Sequence, residues 1–258
     1  MDILTQPQSV WGTFALIACR VGTIMMIVPI FGGRSVPAPL KIGLSLLLSL
    51  ILLPLSAARG AALPDEMPAF LTLVARELLL GALIGFAVLL VFTALQAAGY
   101  IVGLQMGFSL ANVVNPLTAD HASLVDQFYA LLAALVFFSM NGHHALIGAI
   151  QQSFDLAPVG RADLGLPPAA VLLGWGRDLF AIAARISLPV IAALLLTDVA
   201  MAVIARSVPQ LNVFVVGMPA KVAVAFIMLI VTVPITALIM ARAFANLGQA
   251  TQALLRFG

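Results

Sequence analysis

The sequence predicts an all-α integral membrane protein of about six long, kinked helices. Apolar residues make up 63% of the 258 residues and charged residues only 9%, whereas a soluble domain has roughly 45–50% and about 25%. A soluble fold of this length cannot bury so much apolar surface. In addition, Leu78–Ala119 and Val222–Ala241 contain no Asp, Glu, Lys or Arg. Each is at least as long as the ~20 residues that cross a bilayer.

Turn-forming segments divide the chain into the predicted helices. The Gly- and Pro-containing separators lie at 31–39, 56–68, 112–123, 155–168 and 206–212, and they mark helix boundaries. The helices are predicted at 10–31, 38–56, 70–104, 124–151, 169–204 and 218–245. No separator is long enough for a domain linker, so we expect one domain. Prolines inside or at the ends of these blocks predict kinks; they are Pro29, Pro54, Pro189 and Pro234.

Several function classes find no support in the composition. A net charge of +2 without a Lys/Arg cluster argues against binding of nucleic acid. The single cysteine, Cys19, excludes an internal disulfide. Nucleotide-binding, zinc-protease and serine-hydrolase motifs do not occur in the sequence. The sequence therefore predicts neither an enzyme nor a cofactor. Because MDILTQPQSV contains no Lys or Arg, we expect the first apolar block to be retained and not removed as a signal.

Two adjacent histidines, His143 and His144, follow Asn141 and Gly142 in the stretch SMNGHHAL. Neighbouring residues point about 100° apart on a helix and to opposite faces on a strand, so this pair is poorly suited to chelate a metal. A proton relay is an alternative, because an ionisable group in a membrane block is a functional candidate by default. We favour a structural role, in which Asn141 and Gly142 break a helix and the imidazoles bond the freed carbonyls.

Small residues recur four positions apart in the third block and just beyond it, at Gly81, Gly85, Gly99, Gly103, Gly107 and Ala111. Positions four apart share one helix face, and small residues there allow another helix to approach closely. Chance is the alternative in a chain rich in glycine and alanine. Three consecutive steps from 99 to 111 favour helix packing.

The third block ends in GLQMGFSLANVVNPLTADH (103–121), where polar residues and a proline interrupt an apolar run. Backbone that leaves the helical form at membrane depth is tolerated only inside protein or beside a water-filled cavity. Met106 and Phe108 are bulky apolar groups suited to a deformable seal. The segment is therefore predicted to be a gate element, with an ordinary loop outside the membrane as the alternative.

Charged residues also occur inside the predicted blocks, at Arg20, Arg76, Glu77, Arg177, Asp178, Arg185 and Asp198. A charge at the centre of a bilayer costs about 2.5–3.5 kcal/mol. These side chains are therefore expected to face protein or water, and structural pairing between helices is favoured over ion-coupled transport.

Six segments, taken in order, resemble the FliR family of export-gate membrane proteins. They are ACRVGTIMMIVPIFGGRSVPAPLKIGL (18–44), ARELLLGALIGF (75–86), GLQMGFSLANVVNP (103–116), NGHHALI (141–147), SF followed by PVG (153–160) and VPQLNVFVVGMPAKV (208–222). The resemblance covers essentially the whole chain. Injectisome counterparts usually lack NGHH and the QMGFS form of the loop, so the flagellar branch is favoured.

The resemblance implies a non-enzymatic subunit of the flagellar type III export gate, in the bacterial inner membrane at the basal body. Its partners would be FliP, FliQ and FlhB, unfolded exported flagellar proteins and lipid. The helices would pair as hairpins, with residues 1–168 similar to FliP and residues 169–258 similar to FliQ.

The resemblance also maps a plug loop onto Gln105, Met106, Gly107, Phe108, Asn112, Asn115 and Pro116. Candidate subunit contacts are Arg76, Glu77, Arg185, Asp198, Pro209, Gln210, Asn212 and Phe214. Two alternatives remain, an injectisome subunit and a small secondary transporter. The latter would be supported by an inverted repeat, and we find no convincing one.

Overall fold

A computed structural model of the protein describes residues 7–33, 36–57, 63–64, 66–108, 124–161, 169–208, 210 and 212–245. Within these ranges the chain forms eight α-helices and no strand. They are α1 (Pro7–Ile27), α2 (Pro29–Gly32), α3 (Ala38–Ala57), α4 (Met67–Met106), α5 (Leu124–Ser139), α6 (Gly142–Leu156), α7 (Ala169–Ser207) and α8 (Val213–Ala245). Five are long and apolar enough to cross a membrane, and α5 with α6 adds a sixth if that bent pair is one span. The predicted all-α membrane fold is confirmed.

Two of the predicted blocks are interrupted in the structure. The first breaks at Val28, which is extended (φ −65°, ψ 120°) and precedes Pro29, because proline disfavours the helical conformation in the residue before it. The fourth breaks at Asn141, which has a φ of 57°, so that α5 ends at Ser139 and α6 starts anew at Gly142. By contrast Pro54, Pro189 and Pro234 lie inside helices.

The helices form two compact units, and each has its own apolar core. The first unit contains α1 to α3, α6 and the part of α4 up to Leu90. In it α1 packs against α3, and the core side chains with at most 1% exposure include Leu16, Ile17, Ile24 and Ile84.

The second unit contains α4 from Val91, α5 and most of α7 and α8. Its buried side chains include Leu95, Tyr129, Phe137 and Leu194. The rings of Phe92 and Phe137 lie 5.9 Å apart, between α4 and α5. The predicted division at residue 168 concerns similarity to partner proteins and stays a prediction.

Candidate gate segment and buried polar sites

The 40-residue helix α4 ends at the start of the candidate plug segment. Gly107 has a φ of 87°, a left-handed conformation that glycine adopts without steric cost. Its N–H donates to the carbonyl of Leu104 (3.1 Å), and the N–H of Phe108 donates to the carbonyl of Gly103 (3.1 Å). These two bonds are the Schellman arrangement that terminates helices. Gly107 therefore redirects the chain at this point.

A polar cluster joins the end of α4 to the last two helices of the same unit. Gln105 Nε2 donates to Asp198 Oδ2 on α7 at 3.2 Å. Lys221 Nζ on α8 lies 2.6 Å from Asp198 Oδ1, and both side chains are partly exposed. The cluster therefore fixes the last turn of α4 relative to α7 and α8.

The two bulky apolar residues of the candidate plug have different surroundings. Met106 is 1% exposed and belongs to the core of this chain, whereas Phe108 is half-buried. Ala111, Asn112, Asn115 and Pro116, which the sequence also singles out, lie outside the described residues. Of the two bulky side chains, only Met106 is enclosed by the described part of the chain.

The small residues of α4 permit close approach to two different helices. A Cβ on Gly81 would lie 2.6 Å from the backbone oxygen of Arg20, and one on Gly85 would lie 2.9 Å from the Cβ of Ile27, so both face α1. A Cβ on Gly99 would lie 2.9 Å from the Cα of Asp126 on α5. The small residues thus serve two contacts and not one continuous seam. Gly103, the next in the series, is buried.

The histidine pair lies just after the break at Asn141. The His144 N–H donates to the carbonyl of Asn141 at 2.9 Å, and the two imidazole rings are 4.4 Å apart. His143 is half-buried, His144 is exposed and Gly142 is buried. Over the described part of the chain, no three His, Cys, Asp or Glu side chains are grouped so as to hold a metal ion. A structural role for the histidines stays a prediction.

One pair of charges among the described residues is completely enclosed. Arg20 on α1 and Glu77 on α4 are both 0% exposed, and Arg20 Nε donates to Glu77 Oε2 at 2.6 Å. The sequence indicates both residues but not their pairing, because they stand 57 positions apart. Ser153 and Gly160, which also contact the pair, stand out in the sequence only as parts of the SF and PVG segments.

The remaining candidate contacts are scattered. Arg76 is half-buried, and Arg185, Gln210 and Asn212 are exposed. Phe214 lies in α8, but its side chain is outside the described part, as is the whole of Pro209. Asp198 is held by Gln105 and Lys221 as described above.

The long apolar helices define a multi-pass helical membrane protein. Its internal polar contacts include the enclosed Arg20–Glu77 pair and the Gln105–Asp198–Lys221 cluster at the end of α4. The family model "Bacterial export proteins, family 1" matches residues 11–247, and the chain belongs to this family.

Named relatives agree with this assignment over most of the chain. The chain is 37% identical to the flagellar biosynthetic protein FliR of Bacillus subtilis, over 90% of each chain. It is 31% identical to FliR of Escherichia coli, over 84% of this chain and 83% of the relative. It is also 29% identical to the Yop proteins translocation protein T of Yersinia pestis, over 89% of this chain and 88% of that protein. The resemblance to the FliR family is confirmed.

Proposed function

We infer that this chain is a subunit of a flagellar type III protein export gate. The observation that carries the inference is the match to bacterial export proteins over residues 11–247, together with 37% identity to a flagellar FliR. The similarity to a Yop translocation protein, at 29%, supports an injectisome subunit as the second candidate. The flagellar reading is favoured because the flagellar relatives from Bacillus and Escherichia are more similar.

The gate would lie in the inner membrane and be completed by FliP, FliQ and FlhB. The exposed surface of α7 supports the need for partners. Few of its side chains are buried within this chain, and Phe180 and Leu196 are 72% and 71% exposed on the same helix as the exposed Arg185. A charged side chain facing lipid at mid-bilayer costs about 2.5–3.5 kcal/mol. An apolar partner surface with a group that pairs with Arg185 accounts for both kinds of residue.

Within the gate, the segment from Gln105 to Pro116 would act as a plug that limits ion leakage until substrate displaces it. Two features support this role. Gly107 ends α4 abruptly, and the Gln105–Asp198–Lys221 cluster anchors the residues just before the turn. This cluster would hold the base of the plug relative to α7 and α8. The half-buried Phe108 is the first side chain available for the seal.

Deletion of the gene in its own host tests the function. We expect loss of flagellin from the culture medium and loss of swimming, with both restored by the intact chain supplied in trans. Secretion of flagellin by the deletion strain at the parental level would contradict a flagellar gate. Normal flagellar assembly together with loss of another set of secreted proteins would instead support the injectisome reading.

A further inference from the structure

Four segments of the first unit meet around the guanidinium group of Arg20. The Nε atom donates to Glu77 Oε2 at 2.6 Å. The Nη1 atom donates to the backbone oxygens of Ser153 (3.0 Å) and Ala157 (2.9 Å). The group also lies 4.2 Å from the centroid of the Phe154 ring, a distance at which a cation is attracted to the face of the ring. One arginine on α1 therefore contacts α4, the last turn of α6 and the residue that follows α6.

The contacts of Arg20 stabilise the C-terminal end of α6. The last four carbonyls of a helix have no partner within the helix, and a positive charge near them is favourable because of the helix dipole. Ser153 lies in the last turn, where its carbonyl also accepts the N–H of Ala157 at 2.9 Å, and Ala157 directly follows α6. Where no bulk water is available, leaving such carbonyls unpaired is costly. Arg20 supplies a second donor to the carbonyl of Ser153, a donor to the carbonyl of Ala157 and a positive charge at this end.

Glu77 balances the arginine and holds the following turn. Its Oε1 accepts the N–H of Gly160 at 3.2 Å, while Oε2 accepts from Arg20. Gly160 has a φ of 74°, so glycine fits where a side chain would be strained. Each carboxylate oxygen thus has a donor, and the enclosed pair carries no net charge.

We propose that Arg20 and Glu77 form a neutral clamp that positions the C-terminal end of α6 and the 157–160 turn against α1 and α4. At its N-terminal end, this 15-residue helix follows Asn141, which has a left-handed backbone conformation. A particular residue therefore defines each end of α6. A proton relay is the competing role for a buried carboxylate. Against it, Glu77 is 0% exposed and its nearest partner is a guanidinium, which does not give up its proton in proteins.

Accessibility of the 157–160 turn tests the clamp. Val159 lies in this turn and is 2% exposed, so a Val159→Cys substitution in a Cys19→Ala background reports whether the turn stays closed. Maleimide labelling is measured on the assembled gate in membranes. We expect Arg20→Met to raise the labelling rate by about tenfold or more, the factor that corresponds to about 1.4 kcal/mol. Arg177→Met, the same change at an exposed arginine on α7, is the matched control and leaves the rate unchanged.

The double variant Arg20→Met/Glu77→Met separates the clamp from a relay. Removing one member of a buried ion pair leaves an unpaired charge, whereas replacing both by apolar groups is far less damaging. We therefore expect the double variant to be labelled less than either single variant and to export more protein. If Arg20→Met leaves too little gate to label, Arg20→Lys, which keeps the charge balance, is compared instead, with labelling expected to rise less steeply.

Two results would overturn the clamp. The first is a labelling rate of the thiol at position 159 that is the same in the Arg20 variants as in the protein that keeps Arg20. The second is loss of export in Glu77→Met and in the double variant while this thiol stays shielded, which indicates that the carboxylate itself takes part in export. Labelling reports the position of the turn whatever is exported, so the outcome does not depend on the proposed cargo.

Discussion

Replacement of Gly81 by alanine tests whether the small residues of α4 allow α1 to approach. The new Cβ would lie 2.6 Å from the backbone oxygen of Arg20 and 3.0 Å from the Cβ of Thr23. A backbone oxygen cannot rotate away, so the two helices must separate. Overpacking of this kind costs about 1–3 kcal/mol, and the higher helix propensity of alanine returns about 0.8–1.0 kcal/mol.

Two glycines in other helices, with open space around them, provide matched controls. A Cβ on Gly22 in α1 or on Gly148 in α6 would meet nothing within 4 Å. Since all three substitutions change helix propensity equally, the difference between Gly81→Ala and the controls isolates the steric cost, about 1–3 kcal/mol. In thermal unfolding of the detergent-solubilised gate, this cost corresponds to a melting temperature lower by about 2–4 °C per kcal/mol for chains of this size. Equal melting temperatures for Gly81→Ala and both controls would refute the close-contact argument.

Three further predictions concern the plug, the surface of α7 and the break before α6. Phe108→Ala is expected to increase ion leak in cells that contain normal amounts of the gate. Met106→Ala removes a core side chain, at a cost of about 2–5 kcal/mol of stability, and is expected to lower the amount of gate recovered. Increased leak in Met106→Ala and reduced recovery in Phe108→Ala would instead place the seal at Met106. Arg185→Leu is expected to weaken co-purification of the other gate subunits, whereas strengthened assembly would indicate that this position faces lipid. Asn141→Gly is expected to keep or raise the stability of the solubilised gate, as measured by its unfolding. Asn141→Val is expected to lower that stability by about 1–2 kcal/mol, because the φ of residue 141 is positive. Equal stability of the two variants would contradict a backbone requirement at this position.

The helices were predictable because their signal is local. Runs of apolar residues long enough to cross a bilayer place α3, α4, α7 and α8 within a few residues of their observed bounds. The break at Asn141 also has a local cause, since Asn and Gly readily adopt left-handed conformations. The interruption at Val28 was expected only as a kink at Pro29. Its cause is equally local, in the restriction that proline imposes on the residue before it.

The partners of the polar residues were not predictable from spacing. Arg20 lies 133 residues from Ser153, and Gln105 lies 93 residues from Asp198, so no local pattern relates them. The sequence likewise could not show that Met106 points into the core while Phe108, two residues later, is only half-buried. Phe108 lies beyond the end of α4 at Met106, where the direction of a side chain follows the turn at Gly107 and not the helical period.

Arg20, Glu77 and Arg185 show two ways in which a chain with 63% apolar composition keeps charges within its helices. Arg20 and Glu77 neutralise each other and hydrogen-bond backbone groups of the same chain, so their charges are paired within the subunit. Arg185 is exposed on α7, at a depth where lipid would impose about 2.5–3.5 kcal/mol if the helix crossed the bilayer there. The first kind stabilises the fold of the subunit. The second requires water or another protein, and a partner subunit would supply that environment while also covering the apolar side chains beside it.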